Sequence, residues 1–104
     1  MFKAMILLKR REDMTFQAFA DWWLREHAPL AARLPGARGV HFNLVEGDGG
    51  GAFDGVSELW FDSRADFEAA YATPHGLQVA ADSMAHVSRR ERVFVAEHRV
   101  VPVA

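Results

Sequence analysis

The chain has 104 residues, a formal net charge of −2, half of its residues hydrophobic, and no cysteine. That length suits one domain over residues 1–104, with no room for a separate cofactor domain. The near-neutral charge offers no footprint for nucleic acid, and the lack of thiols excludes a disulfide scaffold, a thiolate nucleophile and cysteine-based metal sites.

Phe2 to Lys9 reads as a strand, apolar on both faces in its middle and ended by the charged turn Arg10–Asp13. Its apolar run is too short for a signal peptide, and no stretch reaches the roughly 20 apolar residues of a membrane span. The expected location is therefore the cytoplasm, with no membrane partner. Thr15 is placed to cap a helix that starts at Phe16. Phe16, Phe19, Ala20, Trp23, Leu30 and Leu34 form one stripe of helical period, and His27 falls on the same stripe. Trp22 and Glu26 sit toward its flank. Pro29 should kink this helix, and Pro35-Gly36 should end it.

Arg38 to Val45 reads as a second strand, and Gly55 to Phe61 as a third. Between them, Gly47-Asp48-Gly49-Gly50-Gly51 lacks the Gly-Lys-Ser/Thr ending of a phosphate cradle and reads as a mobile hairpin loop. Asp62-Ser63 should cap a helix with the stripe Phe67, Ala70 and Tyr71, broken at Thr73-Pro74-His75-Gly76. A short helix carrying Leu77, Ala80, Ala81 and Met84 follows. Arg89–Arg92 reads as a solvated turn, and Arg92 to Val101 as the closing strand.

The order β-α-β-β-α-β, with its second helical region split, predicts an α+β ferredoxin-like fold. That fold is an antiparallel four-stranded sheet with helices on one face. Strand alternation gives one almost wholly apolar set, from Phe2 and Ala4 to Leu59 and Phe61, which should face the helices. The other set holds Met5, Leu7, His41, Asn43, Val45, Val56, Glu58 and Trp60, with no helix to cover it. So large an apolar patch predicts a homodimer with its sheets face to face. Met5, Leu7, His41, Asn43, Val56, Glu58 and Trp60 would form the interface. His41, Asn43 and Glu58 would there make a polar seam that fixes register, or line a cavity at the dimer centre.

His27 has two readings: a core histidine satisfied by backbone or a carboxylate, or a general acid/base. Tyr71 is either a core aromatic with its tip at the surface or a group that orients a substrate oxygen. His75, at a helix junction, is either exposed or the third member of a His–Tyr–His site. The five histidines show no paired ligand spacing, so no metal is expected. His86 and His98 read as surface residues.

The blocks Lys9-Arg10-Arg11, Trp22-Trp23-Leu24-Arg25-Glu26-His27-Ala28-Pro29-Leu30, Leu34-Pro35-Gly36, Asp54-Gly55-Val56-Ser57-Glu58-Leu59-Trp60-Phe61-Asp62-Ser63 and the closing Glu97-His98 carry a resemblance over nearly the whole chain. They resemble the EthD family, within the dimeric α/β-barrel superfamily. The resemblance implies that fold and a homodimer. It also implies an association with ethyl tert-butyl ether degradation by a cytochrome P450 system. Methylmuconolactone methylisomerase is a similar barrel whose first-helix histidine looks like His27, and Tyr71 with Pro74-His75 looks like the tyrosine–histidine region of olivetolic acid cyclase.

Three functions follow as expectations. The first is a cofactor-independent isomerase, cyclase or lyase for a small aromatic, lactone or polyketide-like compound. Its pocket would be lined by Ile6, Trp23, Phe42, Leu59 and Tyr71, with His27 as acid/base and Tyr71 and His75 beside it. The second is a non-catalytic binding or accessory protein for a small hydrophobic metabolite or a partner oxygenase system. The third is a cofactor-free quinol monooxygenase resting on Asn43, Trp60 and the histidines.

Overall fold

In the computed structural model, which describes all 104 residues, the elements run β1 (Phe2–Arg10), α1 (Phe16–Trp22), a π-helical turn (Trp23–His27), α2 (Ala28–Ala31), β2 (Gly39–Leu44), β3 (Gly55–Phe61), α3 (Arg64–Ala72), α4 (Pro74–His86) and β4 (Val87–Val95). The sheet order is β2-β3-β1-β4, with every neighbouring pair antiparallel. This is the ferredoxin-like α+β fold, and its helices lie on the face that carries Ala4, Ile6, Leu8, Leu59 and Phe61.

Local chemistry sets the helix starts. The side chains of Thr15, Ser63 and Thr73 accept hydrogen bonds from the backbone N–H groups of Ala18, Asp66 and Gly76. Thr73 also donates its hydroxyl to the Ala70 carbonyl at 2.7 Å, so one side chain ends α3 and starts α4. A Cβ on Gly76 would meet the Ala70 carbonyl oxygen at 2.1 Å, so only glycine permits this junction. Gly55 has the same role under the core, where a Cβ would lie 2.6 Å from the Trp23 ring.

Pro29 does not simply kink the first helix. Lacking an N–H and crowding the preceding turn, it is accommodated by the π-helical turn, in which the Ala28 N–H bonds the Trp23 carbonyl. The core packs Phe19, Trp22, Trp23, Phe61 and Phe67 against the sheet. Burying Phe19 and Phe61 fully contributes about 2–3 kcal/mol each. Trp22, expected at the flank, is buried as deeply as the stripe itself.

Several expectations need correction. The closing strand is Val87–Val95, not Arg92 to Val101, so Arg89–Arg92 lies within the sheet and is not a turn. The last helix starts at Pro74 and buries Gly76, Val79 and Ser83, while Leu77 and Met84 are exposed. The glycine loop is tied down, since Lys9 donates to the Gly49 and Gly51 carbonyls and Arg10 to Gly49. Both cations also reach the fully buried Asp54 carboxylate, which in addition accepts the Arg10 backbone N–H.

Candidate active site

His27 is the last residue of the π-helical turn, and its ring is buried. Its Nδ1–H donates to Asp82 Oδ2 at 2.8 Å, from α4. That bond fixes the tautomer and leaves the lone pair on Nε2, which has no protein partner. Burial pushes His27 below its ordinary pKa, and the Asp82 carboxylate opposes this without cancelling it. The ring is therefore neutral near pH 7 and able to accept a proton. Trp22 lies beside it at 5.0 Å between ring centroids and stacks on His86 at 4.1 Å. His86, half-buried and not on the open surface, donates its Nδ1–H to the Asp82 carbonyl. The Trp22 and Trp23 indole N–H groups are buried without partners.

A cavity of about 20 Å³ lies between sheet and helices, large enough for one water. His27, Ile6, Phe42, Leu59 and Tyr71 all line it, with Ser57, Ser83 and Arg90 as further polar groups. Phe42, Tyr71, Ala80 and Arg90 are the lining residues that retain appreciable exposure, and they form its rim. Burial raises the Tyr71 pKa, so its hydroxyl remains a donor at neutral pH.

Trp23 is not part of this lining. It is fully buried behind Phe42, stacked on that ring at 4.4 Å, and so supports the wall without touching the cavity. His75 also stays outside. Its Nε2–H donates to the Leu30 carbonyl at 2.7 Å, which ties α4 to α2. The sequence reading missed Asp82, Ser83 and Arg90. For Asp82 the available signal was its spacing of four from His86, but nothing local pointed to His27.

The residues expected at a dimer interface share the opposite face. There Asn43 donates to Glu58 at 2.9 Å, and Glu58 pairs with Lys3 at 2.7 Å. Lys3 also meets Glu97 and lies over the Trp60 ring, and His41 packs edge-on to Trp60. Asn43 and Glu58 are thus hydrogen-bonded within one chain, with His41 packed on Trp60 beside them. The Lys3 pair holds the Glu58 carboxyl below the usual range, and Glu97, paired with Arg99 and Lys3, falls to about 2. Asn43 and Trp60 lie on the far side of the sheet from His27, on the face that carries His41. No group of three or more His, Asp or Glu side chains comes together in a metal-holding cluster. No helix is long and apolar enough to cross a membrane.

A four-stranded antiparallel sheet with its helices on one face defines the ferredoxin-like class of small α+β proteins. Within it, residues 11–90 match the EthD domain, and the chain belongs to the EthD family. The structure is similar to an EthD family protein from Bacillus halodurans. The TM-score is 0.79 and the identity 24%, covering 94% of this chain and all of that one. It is also similar to a dimeric ferredoxin-like protein of unknown function from Thermobifida fusca (TM-score 0.75, 18% identity, 92% and 90% covered). A third match is the hydroxynitrile lyase from Passiflora edulis (TM-score 0.75, 16% identity, 97% and 96% covered). No curated protein matches the sequence.

Proposed function

We propose that the protein is a cofactor-independent proton-transfer enzyme, an isomerase, cyclase or lyase for a small aromatic, lactone or polyketide-like compound. The observation that carries this reading is the His27–Asp82 bond, which leaves Nε2 without a protein partner on a residue that lines the cavity. In the proposed step, Nε2 takes a proton from a carbon next to a substrate carbonyl. The C–H electron pair moves onto the carbonyl oxygen as an enolate, and Asp82 stabilises the imidazolium. Tyr71 donates its hydroxyl to that oxygen. The proton then returns to another carbon, or to the oxygen formed on ring closure or to a leaving group. Base, orienting carboxylate and phenol donor are all side chains, so the step asks for no cofactor.

A ring-sized substrate enters by displacing the rim side chains, since the closed cavity holds only a water-sized occupant. We infer further that two copies pair through the open sheet face, where Val45 and Val93 are exposed beside Met5, Leu7, Val56 and Trp60. The relative from Thermobifida fusca, described as dimeric, supports this reading.

The test is a thermal-shift panel of muconolactones, phenols, quinols and aromatic polyketides, followed by proton–deuterium exchange in D₂O for each compound that stabilises the protein. The expected result is exchange at an enolisable carbon, at least about a hundredfold slower in His27→Ala. Stabilisation with no exchange and no turnover would reject the enzyme and favour a binding or accessory protein.

A further inference from the structure

Arg90 carries a charge that no carboxylate in the protein balances. Four cations are withdrawn from full exposure: Lys3, Lys9, Arg10 and Arg90. Lys3 pairs with Glu58 and Glu97, and Lys9 and Arg10 share Asp54. The Arg90 guanidinium makes no hydrogen bond or ion pair; Tyr71 and Arg92 act on it, and its own charge helps to lower the His27 pKa. Arg90 is half-buried at the cavity rim, so its guanidinium gives up part of its hydration without a counter-ion, a cost that a use for the charge would offset.

The position of Arg90 supplies the use. It stands on β4 opposite Leu8, on the sheet face that packs against the helices, and lines the same cavity as His27 and Tyr71. Arg92, two residues on, covers the rings of Phe67 and Phe94 and does not reach the cavity lining. The cavity thus has a neutral base on the helix side and an unpaired cation on the edge strand. A guanidinium presents a planar fork that suits an oxyanion, and it strengthens as water is excluded.

We propose that Arg90 is the anion anchor of this site, and that the substrate offers it an oxyanion while a neighbouring carbon faces His27. The inference deepens the proton-transfer reading and rests on it for the placement of that carbon. The oxyanion has two sources, a carboxylate already on the substrate or the enolate oxygen formed by proton removal. Arg90 would select acidic substrates in the first case and lower the barrier to enolisation in the second.

Both sources are separable with wild type, Arg90→Gln, Arg90→Lys and Arg92→Gln, with His27→Ala as the reference for exchange. Each protein is titrated with benzoate and benzyl alcohol, and assayed for exchange of the acetophenone methyl protons into D₂O. Urea unfolding confirms that each variant is folded, and Arg92→Gln controls for the general loss of a positive charge. For a carboxylate substrate, benzoate binds at least tenfold more weakly to Arg90→Gln, partly recovers in Arg90→Lys, and benzyl alcohol is unchanged. For an enolate, benzoate affinity is level across the set while kcat for exchange falls at least tenfold in Arg90→Gln with KM unchanged. Either result supports the anchor. Equal behaviour of Arg90→Gln and Arg92→Gln in both assays overturns it, as does a wild type that neither binds benzoate nor exchanges acetophenone. Arg90-dependent benzoate binding without exchange in any protein would keep the anchor and reject the proton-transfer reading. Exchange that needs His27 but not Arg90, with benzoate binding unaffected, would do the reverse.

Discussion

His27 and Asp82 stand 55 residues apart in the chain, yet their side chains meet at 2.8 Å between the π-helical turn and α4. The carboxylate holds one tautomer of the ring and directs the free nitrogen's lone pair away from itself. Asp82→Asn keeps the shape but can offer its amide N–H to Nδ1, which favours the tautomer with the proton on Nε2 and removes the base. Proton exchange on a bound substrate should fall by about 10²–10⁴-fold. Stability should fall by only about 1–3 kcal/mol, the cost of a weakened buried hydrogen bond. Exchange kinetics beside urea midpoints check this; a variant at near wild-type rate would remove Asp82 from the mechanism.

The pH dependence follows from the lowered pKa of His27, whose first cause is burial. In the unfolded chain the histidine regains its ordinary value near 6.5. Between the folded pKa and 6.5 the unfolded state binds more protons. His27 therefore contributes stability that is fully present above about pH 6.5 and lost as pH falls toward the folded pKa. Wild type should lose urea resistance over that window, and His27→Gln should lack this component. The acid limb of kcat/KM should lie below pH 6.5 for the same reason. A histidine-ring NMR titration locates the folded pKa directly, and a value above 6.5 would contradict both statements.

The strand and helix order was legible because each element carries its own period and cap. Thr15 and Ser63 start helices where the residues after them place the apolar stripe. The site was legible in part. His27 and Tyr71 lie on core stripes, and a polar group there needs a partner or a task. Asp82 and Arg90 were not legible, because each acquires its meaning from a residue distant in sequence. Arg90 was hidden further by its neighbours Arg89, Glu91 and Arg92, whose charges imitate a turn, whereas pairing with β1 turns every second residue toward the helices. Trp22 and the last helix misled for another reason. A helix packed on two sides, or one with small buried residues such as Gly76 and Ser83, does not show its inner face as a single apolar stripe.

Asp54 is a fully buried carboxylate that ties two strands and the glycine loop together. It accepts from the Arg10 guanidinium at 2.9 Å and from the Arg10 backbone N–H at 3.0 Å. Asp54→Ala leaves that backbone donor and two cations without their acceptor. The cations keep some exposure and can turn to water, so the expected loss is about 2–4 kcal/mol, at the lower end for a broken buried pair. Limited proteolysis should then nick the 47–51 loop well before global unfolding. A urea midpoint within error of wild type would show the tie to be dispensable.

The open sheet face gives the last prediction. Leu7 lies in the middle of β1, opposite Val56 on one side and Glu91 on the other, within a face that also presents Met5 and Val93. Two copies stacked through this face would remove those side chains from water, and each well-buried aliphatic residue would contribute about 1.5–3 kcal/mol. Light scattering at micromolar concentration should give twice the chain mass of 11.6 kDa. Leu7→Glu puts an unpaired carboxylate at the centre of the contact and should halve the measured mass. It should leave the helix-side core folded, because Leu7 does not face that core. Far-ultraviolet circular dichroism separates a folded monomer from an unfolded chain. A wild type that runs at the single-chain mass would instead show that the seam of Lys3, Asn43 and Glu58 with the Glu97 segment is enough to keep this face in water.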